Sequence, residues 1–242
     1  MISLLHGTAR PERWKEICDQ WFQNADNPTE VEYVLVYEPE KFTIAQRQET
    51  MLIPFPLCSV LGNTGRPCLV DAINIAADRA HGELLFYIAD DLWSMPHWDT
   101  DIRSYTTRRP RGVRNVYWVN TGDGADKINH PLWTRAYQDS KGFYLWPEYQ
   151  DLFSDTEFHD VAMLDGVIFD RRNSLFFTHV HASTVNAKYL HDEVNMTMLS
   201  RWTAQEKLYN LRKVVGFPTD MTNLKPLGEN PSKVYIPRRL YA

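Results

Sequence analysis

Ala80-His81-Gly82-Glu83-Leu84-Leu85-Phe86-Tyr87-Ile88-Ala89-Asp90-Asp91-Leu92-Trp93 runs from a small-residue turn through five apolar residues into two adjacent carboxylates. The unbroken apolar run from Leu84 to Ile88 predicts a central strand buried on both faces. Asp90 and Asp91 at its end repel each other, a cost that a cation, a sugar hydroxyl or a basic group relieves. Hard oxygen ligands suit Mg2+ or Mn2+, ions that also bridge the oxygens of a diphosphate. An isolated Asp-Asp pair would more simply cap the next segment, so its neighbours decide between the two readings.

Upstream, Ile2-Ser3-Leu4-Leu5-His6 reads as a strand, Gly7 to Arg10 as a loop, and Pro11 suits the first turn of a helix. Trp14, Ile17, Cys18, Trp21 and Phe22 recur at helical spacing and predict one stripe packed on a sheet. Val31 to Tyr37 is a second strand, stopped at Glu38-Pro39, and Cys58 to Leu61 a third, closed by Gly62-Asn63-Thr64-Gly65. Leu69 to Ala80 places Leu69, Ala72, Ile73, Ala76 and Ala80 on one helical face, with Gly82 as its terminator. Strand and helix thus alternate over the first 90 residues, which predicts an α/β fold with a mostly parallel sheet and ligands beyond the strands' carboxyl ends.

The chain of 242 residues is 43% hydrophobic and 13% aromatic, enough to bury a core, and it shows no repeat or linker, so a single domain is expected. A net charge of -5 lacks the broad positive field of a nucleic-acid-binding protein. Cys18, Cys58 and Cys68 have no close pair, which fits neither a disulfide framework nor a four-cysteine zinc site; a reducing cytoplasm is the expected compartment. No apolar run approaches the roughly 20 residues of a membrane span.

The order Ala72-Ile73-Asn74-Ile75-Ala76, Ala80-His81-Gly82-Glu83, apolar strand, Asp90-Asp91 resembles that of the GT-A fold glycosyltransferases of the family-two-like, phage and bacterial type. The resemblance implies a Rossmann-like nucleotide-diphospho-sugar transferase fold over residues 1–242, with 1–100 as the nucleotide-binding half and 101–242 as the acceptor-binding half and tail. It implies that Asp91 binds the metal and that Asp90 contacts the ribose or the donor sugar. The common aspartate-any-aspartate form is absent, since Ala89 stands beside the pair. The loop at Thr8, Ala9 and Arg10 would cradle the nucleotide, Glu38 would face a uracil ring, and Asn63, Arg66 and Asn74 would complete the pocket. Each of these, taken alone, is more often a solvated surface residue, and only their joint order along the chain favours a pocket.

The second half carries His130-Pro131-Leu132-Trp133, Pro147-Glu148-Tyr149 and Phe153-Ser154-Asp155-Thr156-Glu157-Phe158. In similar transferases an acidic residue before a helix faces the acceptor as general base. Asp155 is the first candidate and Glu157 the second, with helix capping as the competing role. His179-Val180-His181 offers a histidine ligand beside Asp91, from either His179 or His181. Asp123, in Asn120-Thr121-Gly122-Asp123-Gly124, suits donor or acceptor hydroxyls, although Gly-Asp-Gly is also an ordinary turn. Trp93, Trp98, Trp118, Trp133, Tyr144, Trp146 and Tyr149 read as core more readily than as a sugar platform.

The expected activity is transfer of a sugar from a nucleotide diphosphate, UDP first, to an acceptor hydroxyl with inversion, using Mn2+ or Mg2+. The acceptor is a saccharide or a hydroxymethylated pyrimidine in DNA. The basic run Arg103, Arg108, Arg109, Arg111, Arg114 and the tail residues Lys233, Arg238 and Arg239 would steer the latter, or else balance local acids. Competing classes are a metal-dependent hydrolase and a non-catalytic nucleotide-sugar-binding protein.

Overall fold

The structure is a computed structural model and describes residues 1–106, 112–180 and 192–219. In chain order the elements are β1 (Ile2–Thr8), α1 (Trp14–Gln23), β2 (Val31–Tyr37), α2 (Ile44–Glu49), β3 (Leu57–Gly62), α3 (Leu69–Arg79), β4 (Leu84–Ile88), β5 (Leu92–Trp93) and α4 (Trp98–Thr106). They continue as β6 (Val116–Trp118), β7 (Leu132–Thr134), α5 (Arg135–Lys141), α6 (Ser154–Leu164), β8 (Ile168–Asp170), β9 (Thr178–His179), α7 (Glu193–Ser200) and α8 (Trp202–Val214).

Seven strands form one sheet in the order β3-β2-β1-β4-β7-β6-β8, and β5 pairs with β9 in a separate ribbon. β1 lies parallel to both β2 and β4, and β2 parallel to β3. β7 is inserted antiparallel to β4 and β6, so β6 again runs in the direction of β4. The period of two along the strands sorts side chains onto two apolar layers. Leu5, Val34, Val36, Leu85 and Tyr87 face α3 and the later aromatics, whereas Leu4, Tyr33, Leu35, Phe86 and Ile88 face Trp14, Ile17 and Trp21 of α1 and Trp98 of α4. β4 is buried on both faces, as its apolar run predicts.

Two local expectations need correction. α1 begins at Trp14, after a turn in which the Arg10 carbonyl accepts from the Arg13 and Trp14 amides, so Pro11 precedes the helix rather than opening it. α3 ends at Arg79 with Ala80 extended, so Gly82 does not terminate it. Gly82 is instead required by close approach: a Cβ there would stand 2.4 Å from Ser3 Oγ and 2.8 Å from Ser3 N. The carbonyls of Ala77, Ala80 and Gly82 are met by the guanidinium of Arg135, at 3.1, 2.7 and 3.3 Å. The aromatic reading, by contrast, agrees with the structure: Trp98, Trp133, Tyr144, Trp146 and Tyr149 are all buried in the core.

Candidate active site

The carboxyl ends of β1, β2 and β4 open into a cavity of about 290 Å3, closed on the far side by the loop before α6 and by α7. Thr8 and Arg10 reach it from β1, Glu38 from β2, and Asp90 and Asp91 from β4. Asp155 enters from the first turn of α6, and His179 from β9. Chain order alone had grouped these residues, and the sheet brings them to one place.

The two adjacent acids have different surroundings. Asp90 is buried and fully engaged: Oδ1 lies 2.9 Å from His6 Nε2, and Oδ2 accepts from Thr8 Oγ1 at 3.0 Å and stands 3.7 Å from Arg10 Nη1. His6 is in turn held at 2.5 Å by the Tyr33 hydroxyl. Asp91 faces His179, whose Nε2 lies 3.4 Å from Oδ1. Burial acts to raise the Asp91 carboxyl, but the hydrogen bond and charge of His179, with His130 and Arg10, outweigh it and hold the group at about 2. His179 responds in kind: burial pulls it down, yet Asp123 and Asp91 together lift it to about 9.

Asp155 is half-buried at the cavity wall, and its burial raises the carboxyl above the usual range despite a 2.7 Å hydrogen bond from the Thr156 amide. It does not cap α6, where Phe153 takes the N-cap position with φ +64° and no side-chain cap forms. Glu38 is pushed up to about 7 by burial, against the 2.7 Å hydrogen bond that Asn63 Nδ2 donates to it.

Other expected site residues serve as struts. Glu157 faces away from the cavity, gripped by both arms of Arg212 at 2.7 to 3.0 Å and by the Tyr149 hydroxyl at 2.8 Å, which removes it as the second choice for a base. Arg66 is spent on Asp71 at 2.6 Å and on the carbonyls of Pro147 and Tyr149, so it braces the loop rather than a ligand. Asn74 is buried within the core, its amide bridging the backbone of Tyr144 and Leu145. Asn63 acts through Glu38, and Asp123 through His179 at 3.0 Å, instead of lining the cavity themselves. His181 lies outside the described residues.

Sequence reasoning missed His6 and His130. His6 had a signal, as a polar residue inside the buried strand Ile2–Thr8. His130 lines the cavity with its ring centroid 4.6 Å from that of His179, and burial drives it down to about 3, a neutral imidazole. A clasp from α7 closes the site: Asp192 and Asn195 accept from Arg10 at 2.9 and 3.0 Å, Glu193 from Lys41 at 2.6 Å, and Arg201 donates to Asp151 at 2.6 Å.

No family model and no curated protein matches the sequence. Solved structures do match in shape. Residues of TarS from S. aureus, 1–349 in complex with UDP, superpose with a TM-score of 0.59 at 16% identity, over 73% of this chain and 59% of that one. Glucosyl-3-phosphoglycerate synthase from Mycobacterium tuberculosis, in complex with Mn2+, UDP and glucosyl-3-phosphoglycerate, gives 0.59 at 10% identity over 91% of this chain and 81% of that one. The fold is that of the GT-A glycosyltransferases. A mannosyltransferase from Pyrobaculum calidifontis in complex with GDP-Man and Mn2+ shares it, with a TM-score of 0.54 at 15% identity, covering 74% of this chain and 56% of that one. The chain therefore spans little more than half the length of two of these neighbours, and 37% of the longer TarS chain.

Two arginines of the basic run, Arg103 and Arg114, have a defined place beside the sheet. Arg103 pairs with Asp99 and with Glu30, the residue before β2, and Arg114 lies two residues before β6. Because β6 runs with β4, both arginines sit at the amino ends of the strands, opposite the cavity. Arg108, Arg109, Arg111 and the tail residues lie outside the described residues.

Among the described residues, no group of three His, Cys, Asp or Glu side chains forms a ready-made metal cage. The Asp91–His179 pair could offer two ligands, a set that fits a hard divalent cation only if phosphate or water supplied the others. The charge balance agrees: eight acidic side chains, Glu38, Glu40, Asp90, Asp91, Asp151, Asp155, Asp192 and Glu193, line the cavity against Arg10, Arg13, Lys41 and Arg201. No helix among the described residues is long and apolar enough to cross a membrane.

Proposed function

We propose that this chain is a metal-dependent glycosyltransferase, moving a sugar from a nucleotide diphosphate, UDP in the first instance, to an acceptor hydroxyl with inversion. The observation that carries the reading is the convergence of Asp91, His179 and Asp155 on one cavity at the carboxyl end of β4 in a GT-A fold. UDP, GDP-Man and Mn2+ bound by neighbours of this shape support the donor class and the cation.

Asp91 and His179 would hold Mn2+ or Mg2+, which, when bound, offsets negative charge growing on the departing diphosphate. Asp90, locked by His6, Thr8 and Arg10, is rigid enough to orient the ribose or donor sugar. Glu38 and its Asn63 partner suit a base edge. The acceptor oxygen attacks the anomeric carbon from the face opposite the diphosphate; the new C–O bond forms as the C–O bond to phosphate breaks, and Asp155 takes the acceptor proton. Its raised carboxyl makes it the more basic for that task. Such a base contributes about 10² to 10⁴ in rate. The placement of Arg103 and Arg114 away from the cavity favours a saccharide or other uncharged hydroxyl over DNA as acceptor.

A panel of UDP- and GDP-sugars, with and without Mn2+, tests this by thermal shift and by release of nucleoside diphosphate. Asp91→Ala is expected to lose metal-linked stabilisation by donor, and Asp155→Asn to keep it while losing turnover. Turnover without a nucleotide sugar would favour the hydrolase, and binding without acceptor-dependent release a non-catalytic receptor.

A further inference from the structure

His179 turns its two ring nitrogens toward two different acids. Nε2 lies 3.4 Å from Asp91 Oδ1 inside the cavity, and Nδ1 lies 3.0 Å from Asp123 Oδ2 behind it. Asp123 does not line that cavity; it belongs to a separate polar depression beside Trp118 and Asp170. Its carboxylate is itself fixed. Thr121 Oγ1 donates to Oδ1 at 2.8 Å, the Ala125 amide to Oδ1 at 3.2 Å, and Asn129 Nδ2 to Oδ2 at 2.6 Å. Gly122 and Gly124, at φ +76° and +69°, let the turn fold back so that these donors converge.

The histidine backbone is equally restrained: its amide donates to Thr121 O and the next amide, Val180, to Asp91 O, both at 2.8 Å. The His130 ring meets the His179 ring edge-on at 84°, which resists rotation about the last side-chain bond. Were a cation to replace the proton on Nε2, the proton kept on Nδ1 and donated to Asp123 would leave the Nε2 lone pair facing the same point as Asp91 Oδ1. A carboxylate behind a ligating imidazole sets its tautomer and ring plane in this way.

We infer that Asp123 is a positioning residue, one that fixes His179 so that Nε2 and the Asp91 carboxylate converge on a single divalent cation. The inference rests on the metal-dependent reading above. It assigns Asp123 no contact with donor or acceptor.

Mn2+ affinity, read from the free-ion electron paramagnetic resonance signal in the presence of UDP or GDP, tests it without recourse to activity. Asp123→Ala is expected to weaken Mn2+ binding by about 10- to 100-fold. Asp123→Asn, which keeps an oxygen to accept from Nδ1, should recover part of that loss. Equal affinity in wild type and a folded Asp123→Ala protein overturns the role of Asp123 and leaves the transferase reading standing. A wild-type protein that takes up no Mn2+ with either nucleotide overturns both. Should the alanine variant not fold, nitrogen-15 spectra of His179 in the wild-type Mg2+–UDP complex decide: an Nδ1-protonated ring is expected, and an Nε2-protonated one refutes the assignment.

Discussion

Asp155 and Glu157 stand two residues apart on the first turn of α6, and burial gives them opposite fates. Asp155 opens on the cavity, whereas Glu157 neutralises a buried guanidinium. Removing one member of a buried pair leaves the other uncompensated, at about 3–5 kcal/mol. Glu157→Gln should therefore lower the unfolding free energy read from urea titration by that order yet leave turnover of the folded fraction near wild type, while Asp155→Asn should abolish turnover and leave that free energy near wild type. Glu38 adds a pH dependence. With its carboxyl raised from 4.5 to about 7, the folded chain keeps a proton that the unfolded chain has lost, so stability falls as pH rises across that interval. The loss is bounded at about 3 kcal/mol. Glu38→Gln should flatten the slope between pH 5 and pH 8 in denaturant titrations; an unchanged slope would place the buried proton elsewhere. Asp91, Asp155 and His179 were legible because their order along the chain follows a known pattern. His130 was not, since nothing in His-Pro-Leu-Trp says that the imidazole turns toward another histidine rather than into solvent.

At the level of elements, legibility followed periodicity. The strands from β1 to β4 and the helices α1 and α3 are long enough for a stripe or an apolar run to declare itself. β7 has only three residues, too few for alternation to show, and its antiparallel insertion is a choice made by the partners Leu132 and Trp133 find on β4. The Gly82 error had the same root: a glycine after a helical pattern suggests a cap, and only the tertiary approach of Ser3 reveals the other reason for it. α7 is an element held by charge. None of its residues is buried, and it is fastened through Arg10–Asp192, Lys41–Glu193 and, just beyond its end, Arg201–Asp151. Ion pairs of this kind weaken as salt rises. Amide exchange over residues 193–200 should thus accelerate with salt more than exchange in α3. Asp192→Ala should accelerate it at low salt as well, because it removes both the helix cap and the Arg10 partner. Glu193→Ala, at an exposed pair, should change it little.

Over the whole molecule, the sheet separates two chemistries. Acid-rich walls and the Asp91–His179 pair occupy its carboxyl end, and Arg103 and Arg114 its amino end. Each cation for which the cavity side shows a partner is already committed to a carboxylate: Arg10 to Asp192, Lys41 to Glu193, Arg201 to Asp151. On the transferase reading, an incoming dianionic diphosphate would meet a negative surface and would need a divalent ion to enter with it. Nucleotide and Mn2+ should stabilise the protein together far more than either alone. At a hundredfold excess over the dissociation constant the gain is about 2.7 kcal/mol, and for a chain of this length that corresponds to a rise in Tm of roughly 5–10 °C. The same charge arrangement sets the response to salt. A polyanionic acceptor bound through many phosphates would lose about 10³- to 10⁵-fold in affinity between 50 and 200 mM salt. An uncharged hydroxyl acceptor meeting this cavity should show a flat response, and Arg114→Glu, at the opposite end of the sheet, should leave its KM unchanged. A steep salt dependence abolished by Arg114→Glu would mean that a polyanion reaches the site around the sheet, and that the acceptor has been assigned to the wrong chemical class.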